Sequence, residues 1–272
     1  MLTKLIVKKY IEIQKQKLRQ LEFPSSVMFF LTSRCNARCP HCFYWKDTNS
    51  VDELSDSQIV KIIDSLPKLG SIGLTGGEPM LRSNIIDIVK KSLLKSRLVT
   101  IITNGILTDK IREVAKEFYL SRTKLNFQVS IDGIRETHDK IRGSGSYDNT
   151  LDTIKLLRGN RYHVIAVITL SKLNYKEVED VFGNLQGIVS EIRVNVLRSS
   201  HSSVWGLPTG KLNLEHTPRQ EKIALSYNEL RDTYSRLVEI NKKYPLWTSH
   251  NQMLFYSTLK ICLLYTSPSP RD

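Results

Sequence analysis

Thr32-Ser-Arg-Cys35-Asn-Ala-Arg-Cys39-Pro-His-Cys42-Phe-Tyr44 decides how the rest of the chain is read, because it packs three thiols into eight residues. Directly before it runs Ser26-Val-Met-Phe-Phe-Leu31, an apolar run of strand length without a turn residue. The thiols therefore lie on a loop leaving the end of a buried strand. Thiolates are soft ligands that select zinc, Cu(I) or iron–sulfur clusters. Three of them leave a four-iron cluster with one iron not held by protein. A structural zinc site wants four closed ligands, and the one local fourth donor, His41, stands beside Cys42 and is badly placed to share its metal. Closely spaced thiols without a signal sequence speak against disulfides and for a reducing, cytoplasmic setting.

Outward from this loop the chain alternates strands and helices. Residues 2–22 set Leu2, Leu5, Ile6, Ile13 and Leu18 among lysines and read as a helix stopped by Pro24. After the thiols, Ser55-Asp-Ser-Gln58 has the form of a capping box, with Ile59, Ile62, Ile63 and Leu66 on one helical face. Strands are predicted at 71–75, 98–103, 125–131, 163–170 and 191–197. Helices are predicted at 83–95, from a Thr108 cap, at 147–158 and from Asn174, with a long loop between Gly133 and Tyr147. Six strands alternating with helices suit parallel βα units, and a closed eight-stranded barrel would need two more.

The fold class is therefore α/β: an open partial (β/α)6 TIM-type barrel of parallel strands, with an N-terminal helix and a mainly helical C-terminal segment. The expected division is 1–26 for the N-terminal helix, 27–197 for the barrel and 198–261 for a bridge towards a further domain. Residues 262–272 back-translate in frame to a string that looks like a transposase adapter used in sequencing libraries, so they are set aside together with Cys262.

The chain has 272 residues, 40% of them hydrophobic, enough for one sizeable core. No apolar run approaches the length of a bilayer span. The net charge of +13 comes from scattered Lys and Arg without interleaved aromatics, a pattern that fits a lysine-rich solvated surface better than nucleic-acid binding.

Chemistry in a parallel α/β sheet collects at the strands' C-terminal ends, and three further motifs fall there. Gly76-Gly77-Glu78-Pro79 follows the second strand: glycines admit close backbone approach, and an acid there can accept from an ammonium. By itself it is also an ordinary tight turn. Ser130-Ile-Asp132-Gly133 ends the fourth strand, where a hydroxyl and a carboxylate can bond a nucleoside or cap a turn. His138-Asp-Lys-Ile-Arg142-Gly143 supplies a guanidinium suited to a carboxylate, or a solvated loop arginine. Val196 and Leu197 end the sixth strand, where core packing alone would explain them. Thr103-Asn104-Gly105 reads as a plain strand-end turn, with a direct contact to a bound ligand as the alternative.

The spacing C-x3-C-x2-C, with these motifs in this order, resembles the radical S-adenosylmethionine (radical SAM) enzymes. The later motifs look like the branch with SPASM or twitch extensions that includes anaerobic sulfatase-maturating enzymes. The resemblance covers about residues 27–197. It implies a [4Fe–4S] cluster on Cys35, Cys39 and Cys42, with SAM chelating the open iron. Gly76, Gly77, Glu78 and Pro79 would bind the SAM amino group, Ser130 and Asp132 its ribose region, and Arg142 its carboxylate. His41 would pack against adenine or shield the cluster, and Leu197 would give adenine an apolar contact.

The implied activity is reductive cleavage of SAM to a 5′-deoxyadenosyl radical that abstracts hydrogen from a substrate. A peptide or protein substrate is favoured over a small metabolite, lipid or sugar precursor, and over RNA. A one-electron reductant such as flavodoxin or ferredoxin is the implied partner. A non-catalytic metal-binding module is the alternative of a different class.

Overall fold

A computed structural model of the chain describes residues 24–42, 48–50, 53–197 and 222–246. The expected helix at 2–22, Phe43, Tyr44, and the segments at 198–221 and 247–272 lie outside the described residues.

Six strands make one sheet in the order β1-β2-β3-β4-β5-β6: β1 Ser26–Phe30, β2 Leu69–Thr75, β3 Ser96–Thr103, β4 Leu125–Ser130, β5 His163–Leu170 and β6 Glu191–Val196. Every neighbouring pair is parallel. Helices α1 Asp56–Ser65, α2 Ile85–Lys95, α3 Thr108–Glu117, α4 Arg135–Arg142, α5 Ser146–Gly159 and α6 Val178–Leu185 follow in turn, and α7 Tyr227–Lys243 comes last. The strand order is sequential and open, as the unit count predicts.

The sheet's period of two divides its residues cleanly. Ile72, Leu74, Val99, Ile101, Phe127, Val129, Val164, Ala166, Ile168, Ile192 and Val194 belong to one buried cluster shared with the helices. The alternate residues, including Met28, Phe30, Thr100, Gln128 and Arg193, face the other way, and Met28 and Phe30 are exposed. Helix α1 begins at the expected capping box: Ser55 accepts from the Gln58 N–H while the Gln58 side chain accepts from the Ser55 N–H.

Three local expectations need correcting. The long loop after β4 contains helix α4, which ends at Gly143 with φ +119 and so turns the chain out of the helix. Thr108 is the first residue of α3, not its cap, and its hydroxyl donates to the Asn149 carbonyl of α5. Asn174 opens a short 3-10 turn at Tyr175–Glu177 instead of capping the helix directly, because its side chain reaches back to the Asp132 and Thr169 carbonyls.

Helix α7 belongs to the same core. Leu230, Leu237 and Ile240 join the buried cluster, and Leu246 beyond it accepts from the Ile192 N–H on the outer edge of β6.

Candidate active site at the strand ends

The cysteine loop continues the parallel pairing of β1 past its end. The Leu31 N–H donates to the Thr75 carbonyl, then the Gly77 N–H to the Thr32 carbonyl at 2.7 Å and the Glu78 N–H to the Arg34 carbonyl at 2.8 Å. The two glycines are required by this contact. A Cβ on Gly76 would stand 2.5 Å from the Thr32 oxygen, and one on Gly77 would stand 2.2 Å from the Arg34 oxygen. Their smallness admits the thiol-bearing backbone itself, a tighter reason than the approach of a ligand.

Glu53 holds the start of the loop from the other side. Its Oε1 accepts from the Thr32 hydroxyl and from the Ser33 hydroxyl and N–H, and Arg34 and Arg82 pair with Oε2. Burial pushes the Glu53 carboxyl up, but these bonds and the Arg82 charge outweigh it and hold the pKa at about 2. Arg82 also donates through Nε and Nη2 to the Leu31 carbonyl. The Asn49 side chain accepts from the Cys35 N–H at 3.1 Å.

Cys35, Cys39 and Cys42 are half-buried and form no disulfide. Burial raises the pKa of Cys35 and pushes that of Cys39 up to about 11, opposed at both by the Arg142 charge. Among the described residues, no three His, Cys, Asp or Glu side chains close around a single-ion position.

Glu78 is fully buried at the end of β2 and ties three elements together. Its Oε1 accepts from the Met80 N–H and the Thr103 hydroxyl, and its Oε2 from the Asn104 N–H. Burial raises its pKa, and those three donors oppose the rise. Pro79 begins the one-turn 3-10 helix that Glu78 caps. Asn104 then returns to the cysteine loop: its Nδ2 lies 2.7 Å from Asn36 Oδ1 and 4.0 Å from Cys35 Sγ.

Asp132, just past β4, is the second buried carboxylate. Its Oδ1 accepts from the Thr169 N–H, and its Oδ2 takes Nε and Nη2 of Arg142, both at 2.7 Å. His41 Nε2 lies 3.5 Å from the same oxygen. Burial would raise the Asp132 pKa, but Arg142 and His41 bring it below the usual carboxylate range. Arg142 is not a loop arginine in solvent: it is the last residue of α4, its side chain is 8% exposed, and its charge acts on Cys39 and Cys35.

His41 is nearly enclosed, burial lowers its pKa, and its Nδ1 has no hydrogen-bond partner among the described residues. Ser130 is half-buried at the last position of β4. Leu197 is buried, with its N–H on the Leu170 carbonyl at the far edge of the sheet.

The structure thus joins the cysteine loop, Gly76–Glu78, Asp132, Arg142 and His41 through direct contacts. Ser130 stands two residues before Asp132, and Leu197 remains apart from the network. Glu53, Arg82, Asn49 and His138 were not singled out from sequence. Each is a polar residue placed by tertiary packing, and only its type, acid, base or amide, is visible beforehand.

The donor set suits the expected cofactors. Three soft thiols fit an iron–sulfur cluster better than a hard cation, and the orphaned Nδ1 of buried His41 marks a polar position that the described residues leave unfilled. The class is an open parallel α/β barrel with a thiol-bearing centre at its C-terminal rim.

The family model described as the Radical SAM superfamily matches residues 29–185, more than half of the chain. The chain belongs to this superfamily, whose enzymes use a [4Fe–4S] cluster and SAM. It is 35% identical over 165 residues to the Fe-coproporphyrin III synthase of Methanosarcina barkeri, covering 59% of this chain and 40% of that protein. It is 31% identical over 161 residues to the sporulation killing factor maturation protein SkfB of Bacillus subtilis, covering 58% and 38%. Among solved structures, Streptococcus suis SuiB bound to its precursor peptide SuiA aligns with a TM-score of 0.64 at 14% identity, covering 85% of this chain and 49% of SuiB. The matched region is about two fifths of the length of the curated relatives.

Proposed function

We propose that this chain holds a [4Fe–4S] cluster on Cys35, Cys39 and Cys42, binds SAM beside it, and directs hydrogen abstraction from a peptide or protein substrate. The observation that carries the reading is the convergence of three thiols, a buried carboxylate turn and a buried Asp132–Arg142 pair at the C-terminal ends of β1, β2 and β4. When bound, the reduced cluster and SAM supply a 5′-deoxyadenosyl radical.

The chain's own contribution is placement and exclusion of water. Gly76 to Pro79 would hold the SAM ammonium chiefly through backbone groups, because the Glu78 carboxylate that shapes the turn is buried and engaged by Met80, Thr103 and Asn104. Ser130 and Asp132 would serve its ribose region, and Arg142, oriented by Asp132, would present its guanidinium to the carboxylate. His41 offers its unfilled ring nitrogen, and Leu197 an apolar surface for adenine. The buried positive charge of Arg142 favours the thiolate forms of Cys35 and Cys39 that a cluster requires.

SkfB and SuiB, one a maturation protein and the other bound to a precursor peptide, support a peptide substrate. The relative of highest identity quoted above is a coproporphyrin enzyme, which keeps a tetrapyrrole as the second reading. Electrons would come from a flavodoxin or ferredoxin, and the thiol chemistry suits the cytoplasm. No helix among the described residues is long and apolar enough to cross a membrane.

Anaerobic reconstitution tests the proposal. The protein should take up about four irons per chain and cleave SAM to 5′-deoxyadenosine under strong reductant, and Cys35→Ala should abolish both. Tight zinc uptake without cleavage would overturn it in favour of a binding module.

A further inference from the structure

Asn104 stands just past the end of β3 in a turn that by sequence reads first as a plain strand end, yet its side chain is fixed at every polar atom. It is 6% exposed. Its backbone N–H is held by Glu78 Oε2 and its carbonyl by the Thr150 hydroxyl. The side-chain Oδ1 accepts from the Ile106 N–H at 3.0 Å, which turns Nδ2 towards the cysteine loop. An amide nitrogen carries two hydrogens. One goes to Asn36 Oδ1 at 2.7 Å, and the other lies towards Cys35 Sγ, 4.0 Å from Nδ2. That sulfur is also 3.5 Å from the Ala37 N–H.

We infer that Asn104 is a positioning residue for the redox centre: its side-chain amide donates to the Cys35 sulfur and makes a cluster held there easier to reduce. The inference rests on the cluster assignment proposed above. A donor aimed at a ligating sulfur withdraws negative charge, and hydrogen bonds to the sulfurs are among the features that set the potential of such clusters. The reduced cluster carries one more negative charge than the oxidised one, so the bond favours reduction. The rigid frame around Asn104 adds to the effect, because the donor is in place before the electron arrives.

The test compares reduction midpoints of reconstituted protein by EPR-monitored titration. Asn104→Leu removes the donor at similar volume, and Asn36→Ala removes the second partner of the same amide while sparing the sulfur contact. Asn104→Leu should assemble the same iron content but show a reduced-to-oxidised ratio about threefold to tenfold lower at fixed potential, as one hydrogen bond would give. A tenfold loss corresponds to about 59 mV for one electron. Asn36→Ala should titrate with the wild type.

An unchanged midpoint in Asn104→Leu overturns the inference, and so does an equal shift in both variants, which would assign the effect to loop position. If the leucine variant fails to assemble, pulsed EPR decides on protein carrying amide-15N asparagine. A nitrogen coupling present in wild type and in Asn36→Ala supports the inference, and its absence overturns it. Wild-type protein that assembles no cluster would remove the proposed function as well, whereas a cluster with an unmoved midpoint removes this inference alone.

Discussion

Gly77 has no room for a side chain, since a Cβ would meet the Arg34 carbonyl oxygen at 2.2 Å and that oxygen is part of the cysteine loop. Gly77→Ala must therefore push the loop away from β2, and a loss of about 1–3 kcal/mol is expected, together with reduced iron loading. Gly159 in α5 is the matched control, because nothing lies within 4 Å of its Cβ position. Gly159→Ala should leave loading unchanged and stabilise by up to about 1 kcal/mol. Thermal unfolding and iron analysis of the two variants check both. Glu53 acts on the same loop through charge. Its folded pKa of about 2 lies below the ordinary 4.5, so its contribution is complete above pH 4.5 and is lost as pH falls towards 2. Glu53→Gln should flatten the acid limb of stability in that window, as measured by denaturant unfolding against pH.

Helix α4 shows where sequence reading stopped short. Arg-Glu-Thr-His-Asp-Lys-Ile-Arg carries five charged residues and a single aliphatic one, so apolar periodicity had nothing to find; only His138 and Ile141 are buried. The six strands were legible because each is an apolar or alternating stretch of strand length, as in Leu-Asn-Phe-Gln-Val-Ser of β4 and Glu-Ile-Arg-Val-Asn-Val of β6, and a parallel sheet buried on its helical face rewards that pattern. The thiols, Gly76–Glu78, Asp132 and Arg142 were legible as residue types at strand ends. That Asp132 would clasp Arg142 was not, because their pairing depends on α4 turning back over β4. Nor was Glu53, an unremarkable acid until the cysteine loop folds onto it.

His138 is the hinge of this arrangement. Its Nδ1 accepts from the Asp132 N–H at 3.1 Å, and burial, aided by the Arg142 charge, lowers its pKa from 6.5 to about 4. A folded pKa below the unfolded one means the unfolded chain binds the proton first, so stability is complete above pH 6.5 and falls as pH drops towards 4. His138→Leu should flatten that slope, leaving the part carried by His41, whose pKa burial also lowers, and cost about 1–3 kcal/mol by leaving the Asp132 N–H unpaired. Chemical denaturation at several pH values measures both effects, and a variant that keeps the wild-type slope would show that another group carries it.

At the scale of the whole molecule the question is what completes an open sheet. An eight-stranded barrel has no edges, whereas here β1 and β6 are the two ends of the strand order. The β6 side is covered from beyond the barrel: the Ile192 N–H donates to the Leu246 carbonyl, the Lys172 N–H to the Ile223 carbonyl, and α7 sinks Leu230, Leu237 and Ile240 into the common core. Each such side chain contributes about 1.5–3 kcal/mol by burial, so together they amount to a large share of the roughly 5–15 kcal/mol that a domain has in total. The segment 222–246 is therefore expected to be needed for the barrel's stability. Leu237, fully buried, is the sharpest probe: Leu237→Ala should destabilise by about 2–5 kcal/mol, although it is far along the chain from Cys35, Cys39 and Cys42. A variant ending at Leu197 should expose the outer edge of β6 and elute as aggregate in size-exclusion chromatography, while one ending at Leu246 stays monodisperse. If the shorter form were equally soluble and melted at the same temperature, the edge cover and the α7 contacts would carry no net stability. The sheet and its six helices would then suffice to hold the thiol-bearing rim in place.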